Sequence, residues 1–251
     1  MAEAIVETAN LTKSFKGFTA VNDISMRVEA GTIHAMIGAN GAGKTTCFNL
    51  LSKFLVPTSG TIRYQGQDIT RLKPDQIARR GMVRSFQISA VFGKLTTLDN
   101  VKLALQRQRG ESYDFWGSHH RLDHQGQRAM ALLEDVGLEE WADTPAAELP
   151  YGRKRALELA TTLALDPKVM LLDEPLAGMG TEDVGRTAEL IRSVAKGRTV
   201  LMVEHNLGVV ADLCDRITVL ARGEVLVEGD YATVSQDARV IESYIGGARH
   251  D

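Results

Sequence analysis

A short glycine-rich stretch followed by lysine and threonine is the part of the chain whose residue types and spacing most directly imply chemistry. It comprises Gly38, Ala39, Asn40, Gly41, Ala42, Gly43, Lys44, Thr45 and Thr46, and it fits the pattern G-x-x-x-x-G-K-[ST] without a mismatch. Glycines let the backbone curl so that several N–H groups face phosphate oxygens. A lysine here supplies positive charge to the β- and γ-phosphates, and the hydroxyl of Thr45 is a ligand for Mg²⁺. The stretch therefore predicts binding of a nucleoside triphosphate with magnesium.

An acidic pair at the end of an apolar run is the second candidate. Asp173 and Glu174 follow Val169–Leu172 and precede Pro175. Such a run fits a strand buried on both faces, and the carboxyl ends of strands are where α/β proteins bind ligands. Acidic pairs are also ordinary turn residues, but this one follows a phosphate-binding stretch. We therefore expect Asp173 to hold the magnesium ion and Glu174 to polarise the attacking water as general base.

Two further polar residues also end predicted strands. His205 follows the apolar run Thr199–Val203 closely, where it could donate a hydrogen bond to the γ-phosphate. Gln87 closes the run Met82–Phe86, where its amide could reach both the metal ion and the attacking water. Each residue taken alone would have an ordinary structural explanation. Their places in the order of elements favour catalytic roles for both and a metal-ligand role for Gln87.

The elements that must position these residues can be predicted from hydrophobic periodicity and turn signals. Short strands are expected at 4–7, 25–28, 32–37 and 60–64, and the helix after the phosphate-binding stretch at about 43–55. Helical periodicity dominates from about 97 to 165, with a polar surface excursion from 108 to 127. Strands at 169–172, 199–203, 217–220 and 224–228 and a helix at about 182–196 follow. An all-helical insert is therefore expected to divide one nucleotide-binding sheet.

Composition limits the class of protein. The 251 residues, 44% hydrophobic and 24% charged, suit one large α/β domain or a domain with a subdomain. The net charge of −3 implies no basic face for nucleic acid. Two cysteines make no disulfide framework and fit a reducing cytosol. No signal-like N-terminus and no apolar run near the roughly 18 residues of a membrane span occur. We expect a soluble chain that can dock on a membrane protein.

The order of these motifs resembles the ATP-binding subunit of ABC transporters over essentially the whole chain. Walker A corresponds to 38–46, the Q-loop to Gln87, Walker B to 169–174 and the switch histidine to His205. The resemblance implies an α/β P-loop ABC ATPase fold: a RecA-like core with an antiparallel β subdomain (1–87 and 166–230), an inserted α-helical subdomain (88–165) and a C-terminal tail (231–251). It also implies that Phe15 occupies the A-loop position, where an aromatic ring stacks on adenine.

The same resemblance implies a head-to-tail dimer in which the signature sequence of one subunit faces ATP held by the other. The family's Leu-Ser-Gly-Gly-Gln reads here as Leu-Pro-Tyr-Gly-Arg, 149–153, so Leu149 and Gly152 are the expected nucleotide-facing residues. Pro150 lacks both the hydroxyl and the backbone N–H of the usual serine. Arg153 and Lys154 could restore positive charge. The D-loop segment 176–180 also lacks the usual aspartate.

Within the family the chain is most similar to ATP-binding subunits of branched-chain amino acid importers and their relatives for urea, amides and hydrophobic acids. Three features carry this likeness: the opening 11–22, the polar excursion after Gln87, and the tail 240–246. It implies two permease subunits, a second ABC ATPase subunit and, indirectly, a periplasmic solute-binding protein as partners. It implies no nucleic-acid partner. The expected location is the cytoplasmic side of a bacterial inner membrane, with Phe92 and its apolar neighbours in 89–100 facing the permeases.

Three alternatives share parts of this pattern. An ABC exporter subunit for lipid or polysaccharide has the same core, but the tail and the long excursion favour import. A soluble ABC ATPase acting on ribosomes or DNA usually carries two nucleotide domains or a long coiled coil, and this chain has one set of motifs and no sustained heptads. A P-loop kinase or GTPase explains the stretch 38–46 but neither the segment 149–153 nor His205.

Overall fold

The computed structural model describes residues 3–85, 91–108 and 119–246, which fall into two compact units. The first unit contains the described parts of 1–82, 168–175 and 195–251, and the second those of 83–167 and 176–194. The strands are β1 (Ala4–Phe15), β2 (Phe18–Glu29), β3 (Ile33–Ile37), β4 (Ser59–Tyr64), β5 (Gln67–Asp68), β6 (Met82–Arg84), β7 (Val169–Asp173), β8 (Thr199–Val203), β9 (Arg216–Ala221) and β10 (Glu224–Gly229). The helices are α1 (Lys44–Leu51), α2 (Pro74–Ala78), α3 (Thr97–Gln108), α4 (His119–Asp135), α5 (Tyr151–Leu163), α6 (Thr181–Val194), α7 (Leu207–Leu213), α8 (Tyr231–Gln236) and α9 (Ala238–Gly246).

A six-stranded sheet carries the nucleotide-binding motifs. Its strand order is β10-β9-β3-β8-β7-β6. The neighbouring pairs β3–β8, β3–β9 and β7–β8 are parallel, whereas β9 and β10 are antiparallel. Every residue of β3, β7 and β8 is buried. This explains why these strands read as continuous apolar runs rather than as alternating patterns, since both faces of the sheet are covered.

The second sheet of the first unit is antiparallel, in the order β2-β1-β4-β5. The strands expected at 4–7 and 25–28 are parts of a long hairpin of two twelve-residue strands, β1 and β2. The pairing continues to Phe15 and Phe18 at the turn, although most residues there are exposed. The outer part of the hairpin has no buried face. Its hydrophobic and polar residues therefore stop alternating before the hydrogen-bonded pairing of β1 with β2 ends.

The helix after the phosphate-binding stretch is shorter than the expected 43–55. Helix α1 ends at Leu51, and the hydroxyl of Ser52 donates to the carbonyl of Phe48 at 2.7 Å. Lys53 follows with φ of 64°, a left-handed conformation that stops the α-helical hydrogen-bond pattern. Apolar residues at 54–56 continue the sequence pattern, so the stop depends on backbone geometry that periodicity does not report.

Helices dominate the second unit, where α3 packs against both α4 and α5. Fully buried side chains of this packing include Val101, Ala129, Leu133, Leu157 and Ala160. The excursion expected to reach residue 127 was too long, because α4 already begins at His119. Its first turns are polar, and apolar periodicity detects a helix only where one face is buried.

Helix α6 groups with the second unit, together with α3, α4 and α5. The expected limits of the core, the helical subdomain and the C-terminal tail stay predictions; they divide the chain into 1–87, 88–165, 166–230 and 231–251. Among the described residues, no helix has both the length and the apolar character that a bilayer crossing requires.

Candidate nucleotide-binding site

The phosphate-binding stretch connects the buried strand β3 to helix α1, the strand–loop–helix setting that its motif requires. Gly38 has φ of 151°, and a Cβ there would lie 2.3 Å from the carbonyl oxygen of Leu220. Gly43 has φ of 100°, and its Cβ would lie 2.6 Å from the carbonyl oxygen of Ala20. Both positions therefore exclude any larger residue. The loop sits against the ends of β9 and β2, which fixes its backbone N–H groups in place.

Lys44 is the first residue of α1 and is 8% exposed. Its ammonium donates to the carbonyl oxygens of Gly38 at 2.6 Å and Ala39 at 3.1 Å, so the side chain lies back along the loop. Burial lowers the pKa of this ammonium from its ordinary value, while the negative charge of Glu174 acts in the opposite direction. The lysine is thus held inside the loop, near a carboxylate expected to act in hydrolysis.

The acidic pair lies at the carboxyl end of β7, level with the ends of β3 and β8. Asp173 is opposite Val203 in the parallel pairing of β7 with β8, and Met36 is opposite the same valine in the pairing of β3 with β8. Asp173 is 4% exposed. Glu174 takes φ of 47° and donates its N–H to the carbonyl of Val203 at 3.0 Å. The sheet therefore brings the loop, the two acids and the end of β8 to one edge.

His205 follows β8 at the same edge and is exposed. The residue before it, Glu204, is 1% exposed and was not singled out in the sequence. One carboxylate oxygen of Glu204 accepts from the backbone N–H groups of His205 at 3.1 Å and Asn206 at 3.4 Å. Asn206 in turn caps α7 through Val209. Glu204 orients the turn that carries the histidine, and a carboxylate directly after a five-residue apolar strand is the sequence signal that could have revealed it.

Phe15 stands at the tip of the β1–β2 hairpin in the same unit, with 45% of the residue exposed. It is therefore not a core residue. The ammonium of Lys13 lies 5.3 Å from the centre of the Phe15 ring and donates to the carbonyl of Val56 at 2.8 Å. An exposed ring backed by a fixed cation is compatible with stacking on a base.

The segment expected to be the signature lies at the start of α5, in the second unit. Pro150 is the N-cap residue, with φ of −56° and ψ of 155°, and no side chain caps the helix. Leu149 is buried, and a Cβ on Gly152 would lie 3.3 Å from Cγ of Asp183. The guanidinium of Arg153 donates to the carbonyl of Gly137 at 2.9 Å and lies over the ring of Trp141. Arg153 therefore makes contacts within its own unit. These contacts argue against its taking over the phosphate contact of the serine that Pro150 replaces.

Gln87 lies outside the described residues, as do Ser89 and Ala90 of the expected permease-facing segment. The roles of Gln87 as a metal ligand and as a sensor of the attacking water therefore stay predictions.

The residues present fit Mg-ATP. The loop provides N–H groups, a helix N-terminus and one ammonium for phosphate oxygens. Thr45 is an exposed residue in the first turn of α1, and Asp173 brings a carboxylate to the same sheet edge. Hydroxyl and carboxylate oxygens are the hard ligands that Mg²⁺ prefers, usually one or two from the protein with phosphate completing the shell.

A phosphate loop after β3, an acidic pair at the end of β7 and a histidine after β8 define a P-loop nucleoside triphosphatase. Comparison with known proteins gives the family. Residues 21–177 match the family model described as ABC transporter. The chain belongs to the ABC transporter family, and it is an ATP-binding, ATP-hydrolysing member with the ABC ATPase fold, as the sequence predicted.

Relatives of this chain are similar to it over all or nearly all of their length. The high-affinity branched-chain amino acid transport ATP-binding protein BraF of Pseudomonas aeruginosa is 35% identical, covering 99% of this chain and 100% of the relative. The probable branched-chain amino acid transport ATP-binding protein LivG of Archaeoglobus fulgidus is also 35% identical, covering 96% of this chain and 95% of the relative. Among solved structures, the ADP conformation of the cassette MJ1267 has a TM-score of 0.86 at 28% identity, covering 98% of this chain and all of that one.

Proposed function

We propose that this chain is the ATP-hydrolysing subunit of a membrane importer for branched-chain or other hydrophobic amino acids, or related small solutes. The observation that carries the proposal is the gathering of the phosphate loop, Asp173, Glu174 and His205 at one sheet edge. Support for import and for this solute class comes from relatives named as branched-chain amino acid transport proteins, which are similar over essentially the whole chain. The names of these relatives disfavour the alternative function, export of lipid or polysaccharide.

Each part of the site has a defined task in hydrolysis. The loop 38–46 holds the triphosphate, with Lys44 turning from the loop carbonyls toward the β- and γ-phosphates. Glu174 accepts a proton from the water that attacks the γ-phosphorus, and His205 donates a hydrogen bond to the γ-phosphate. Phe15 stacks on adenine. Bound Mg²⁺, held by Thr45, Gln87 and Asp173, would neutralise phosphate charge.

The assembly extends beyond one chain. A second ABC ATPase subunit would bring its signature to this chain's phosphate loop, while Leu149 and Gly152 of this chain face the partner's ATP. Two permease subunits would contact the second unit, and a periplasmic binding protein would deliver the solute. This arrangement places the chain at the cytoplasmic face of a bacterial inner membrane, with no nucleic acid involved.

Uptake by proteoliposomes tests the proposal. The chain would be reconstituted with the permeases, second ATPase and binding protein encoded beside it, and uptake of radiolabelled leucine, urea and an aromatic acid would be compared. ATP-dependent uptake of leucine, lost in Glu174→Gln, is the expected result. Hydrolysis that no added solute stimulates, together with outward movement of lipid, would favour the exporter.

A further inference from the structure

Lys13 fastens the outer end of the β1–β2 hairpin to the segment that precedes β4. Its ammonium donates to the carbonyl oxygen of Val56 at 2.8 Å. Beside it, the N–H of Thr58 donates to the carbonyl of Thr12 at 2.8 Å, and the N–H of Ser14 donates to the hydroxyl of Thr58 at 3.0 Å. All of these residues belong to the first unit. The position of the ammonium is therefore set by the backbone of the neighbouring segment.

The same ammonium lies against the ring of Phe15, 5.3 Å from its centre. This distance is inside the roughly 6 Å at which a cation is attracted to an aromatic face. Pairing with Phe18 across the turn fixes the backbone of Phe15. The residue is 45% exposed, so few packing contacts select a rotamer for its ring. The attraction to Lys13 favours the rotamer in which the ring lies beside the ammonium.

A cation at one face also suits the Phe15 ring to a neutral nucleobase at the other. The faces of an aromatic ring carry partial negative charge, so two rings repel each other when they are stacked face to face. The ammonium draws π electrons toward itself, which lowers the negative charge on the opposite face and weakens its repulsion of a stacked base. The surface that Phe15 keeps exposed is enough for a ligand to reach the ring.

We propose that Lys13 is a positioning residue for Phe15, holding the ring in the orientation that stacks on the base of the bound nucleotide. The proposal rests on the proposed function of Phe15 as the residue that stacks on adenine. Lys13 acts through the ring and not on the phosphates, so it should matter only for ligands that carry a base. A purely structural role, the fastening of β1 to the segment 56–58, would instead affect every ligand of the site alike or none.

Lys13→Met tests the proposal because it keeps an unbranched side chain and removes the ammonium. Isothermal titration calorimetry of the full-length chain with Mg²⁺ would give the Kd for adenylyl imidodiphosphate, a non-hydrolysable ATP analogue, and for inorganic tripolyphosphate, which has no base. The Kd for the analogue should rise about two- to fivefold, the range that loss of one exposed cation–ring contact gives. The Kd for tripolyphosphate should stay within about 1.5-fold, since the phosphate loop is untouched.

Two further lysine variants serve as comparisons for Lys13→Met. Lys13→Arg keeps a cation and its hydrogen-bond donors, so it should bind the analogue as the wild type does. The matched control is Lys16→Met, which makes the same change of charge at an exposed lysine in the hairpin turn. This control should alter neither Kd, because the effect of Lys13 depends on its contact with the ring and not on the net charge of the hairpin.

Removal of the ring separates action through Phe15 from action by any other route. Phe15→Leu keeps an apolar side chain that cannot stack, and Lys13→Met added to it should cause no further loss of affinity for the analogue. Equal losses for the analogue and tripolyphosphate, the same loss in both backgrounds, or an unchanged affinity of Lys13→Met for the analogue would overturn the proposal. Phe15→Leu with the affinity of the wild type would contradict the proposed stacking of Phe15 on adenine itself, and this inference with it.

Discussion

His34 makes the stability of the central sheet depend on pH through one buried ring. It lies in β3 with no exposed surface, and its Nε2 is 2.7 Å from the hydroxyl oxygen of Thr218. That hydroxyl donates its hydrogen to Glu228 at 2.8 Å, so Nε2 must be the donor to Thr218. Nδ1 has no hydrogen-bond partner among the described residues. Burial, and secondarily the positive charge of Arg216, lowers the pKa of His34 from 6.5 to about 4.

The sign of the effect follows from this lowered pKa. Between pH 6.5 and 4 the unfolded chain binds a proton at residue 34 that the folded chain does not, so stability falls as pH falls through this window. At about pH 5 the unfolded ring is almost fully charged and the folded ring almost neutral. With about 1.4 kcal/mol for each unit of pH below 6.5, the loss from this site is about 2 kcal/mol.

Replacement of His34 by glutamine isolates this contribution. The amide Nε2 of glutamine can still donate to Thr218 but does not titrate near neutral pH. Urea unfolding of wild type and His34→Gln, followed by circular dichroism at about pH 7.5 and pH 5, gives the free energy of unfolding of each. The wild type should lose about 2 kcal/mol more than the variant between the two pH values. Equal losses, within about 0.5 kcal/mol, would refute the reasoning, because the folded ring would then be charged at pH 5.

Three further predictions concern the nucleotide and the membrane partners. Lys44→Ala should weaken binding of a fluorescent ATP analogue at least about tenfold, because charge-assisted bonds to the phosphates are lost; affinity within about twofold would mean that the lysine does not face them. Pro150→Ser should raise ATP turnover of the assembled transporter, since serine restores a hydroxyl, an N–H and a helix cap worth about 1 kcal/mol; an unchanged rate at unchanged stability would contradict this. Phe92→Asp should uncouple transport while ATP binding persists, whereas Phe54→Asp, at an equally exposed phenylalanine, should not. Crosslinks from the permease to α9 instead of to Phe92 would count against that surface.

The sheet edge could be predicted because its strands are buried on both faces. The apolar runs at 169–172 and 199–203 and the loop at 38–46 mark the carboxyl ends of β7, β8 and β3, and parallel pairing aligns those ends. The position of Asp173, Glu174 and His205 at this edge could therefore be predicted from the sequence. Fold class and family membership are confirmed by the comparisons.

Local backbone conformation and contacts between distant residues could not be predicted from periodicity. The end of α1 depends on the left-handed backbone of Lys53, and the exclusion of side chains at Gly43 depends on a carbonyl of β2. The same holds for the phenol of Tyr151, which contacts a residue 26 positions along the chain. The contacts of Arg153 with Gly137 and Trp141 also join residues that are distant in sequence. A single sequence carries no signal for such pairings.

Turnover of Glu174→Gln tests most directly the claim that this sheet edge hydrolyses ATP. The amide cannot accept a proton from water, so phosphate release should fall by roughly 10²–10⁴-fold while ATP stays bound. Glu140→Gln, an exposed carboxylate in the second unit, serves as the matched control and should keep the wild-type rate. ATP binding by Glu174→Gln with turnover equal to that of wild type would show that another group activates the water, and would contradict the mechanism proposed for this chain.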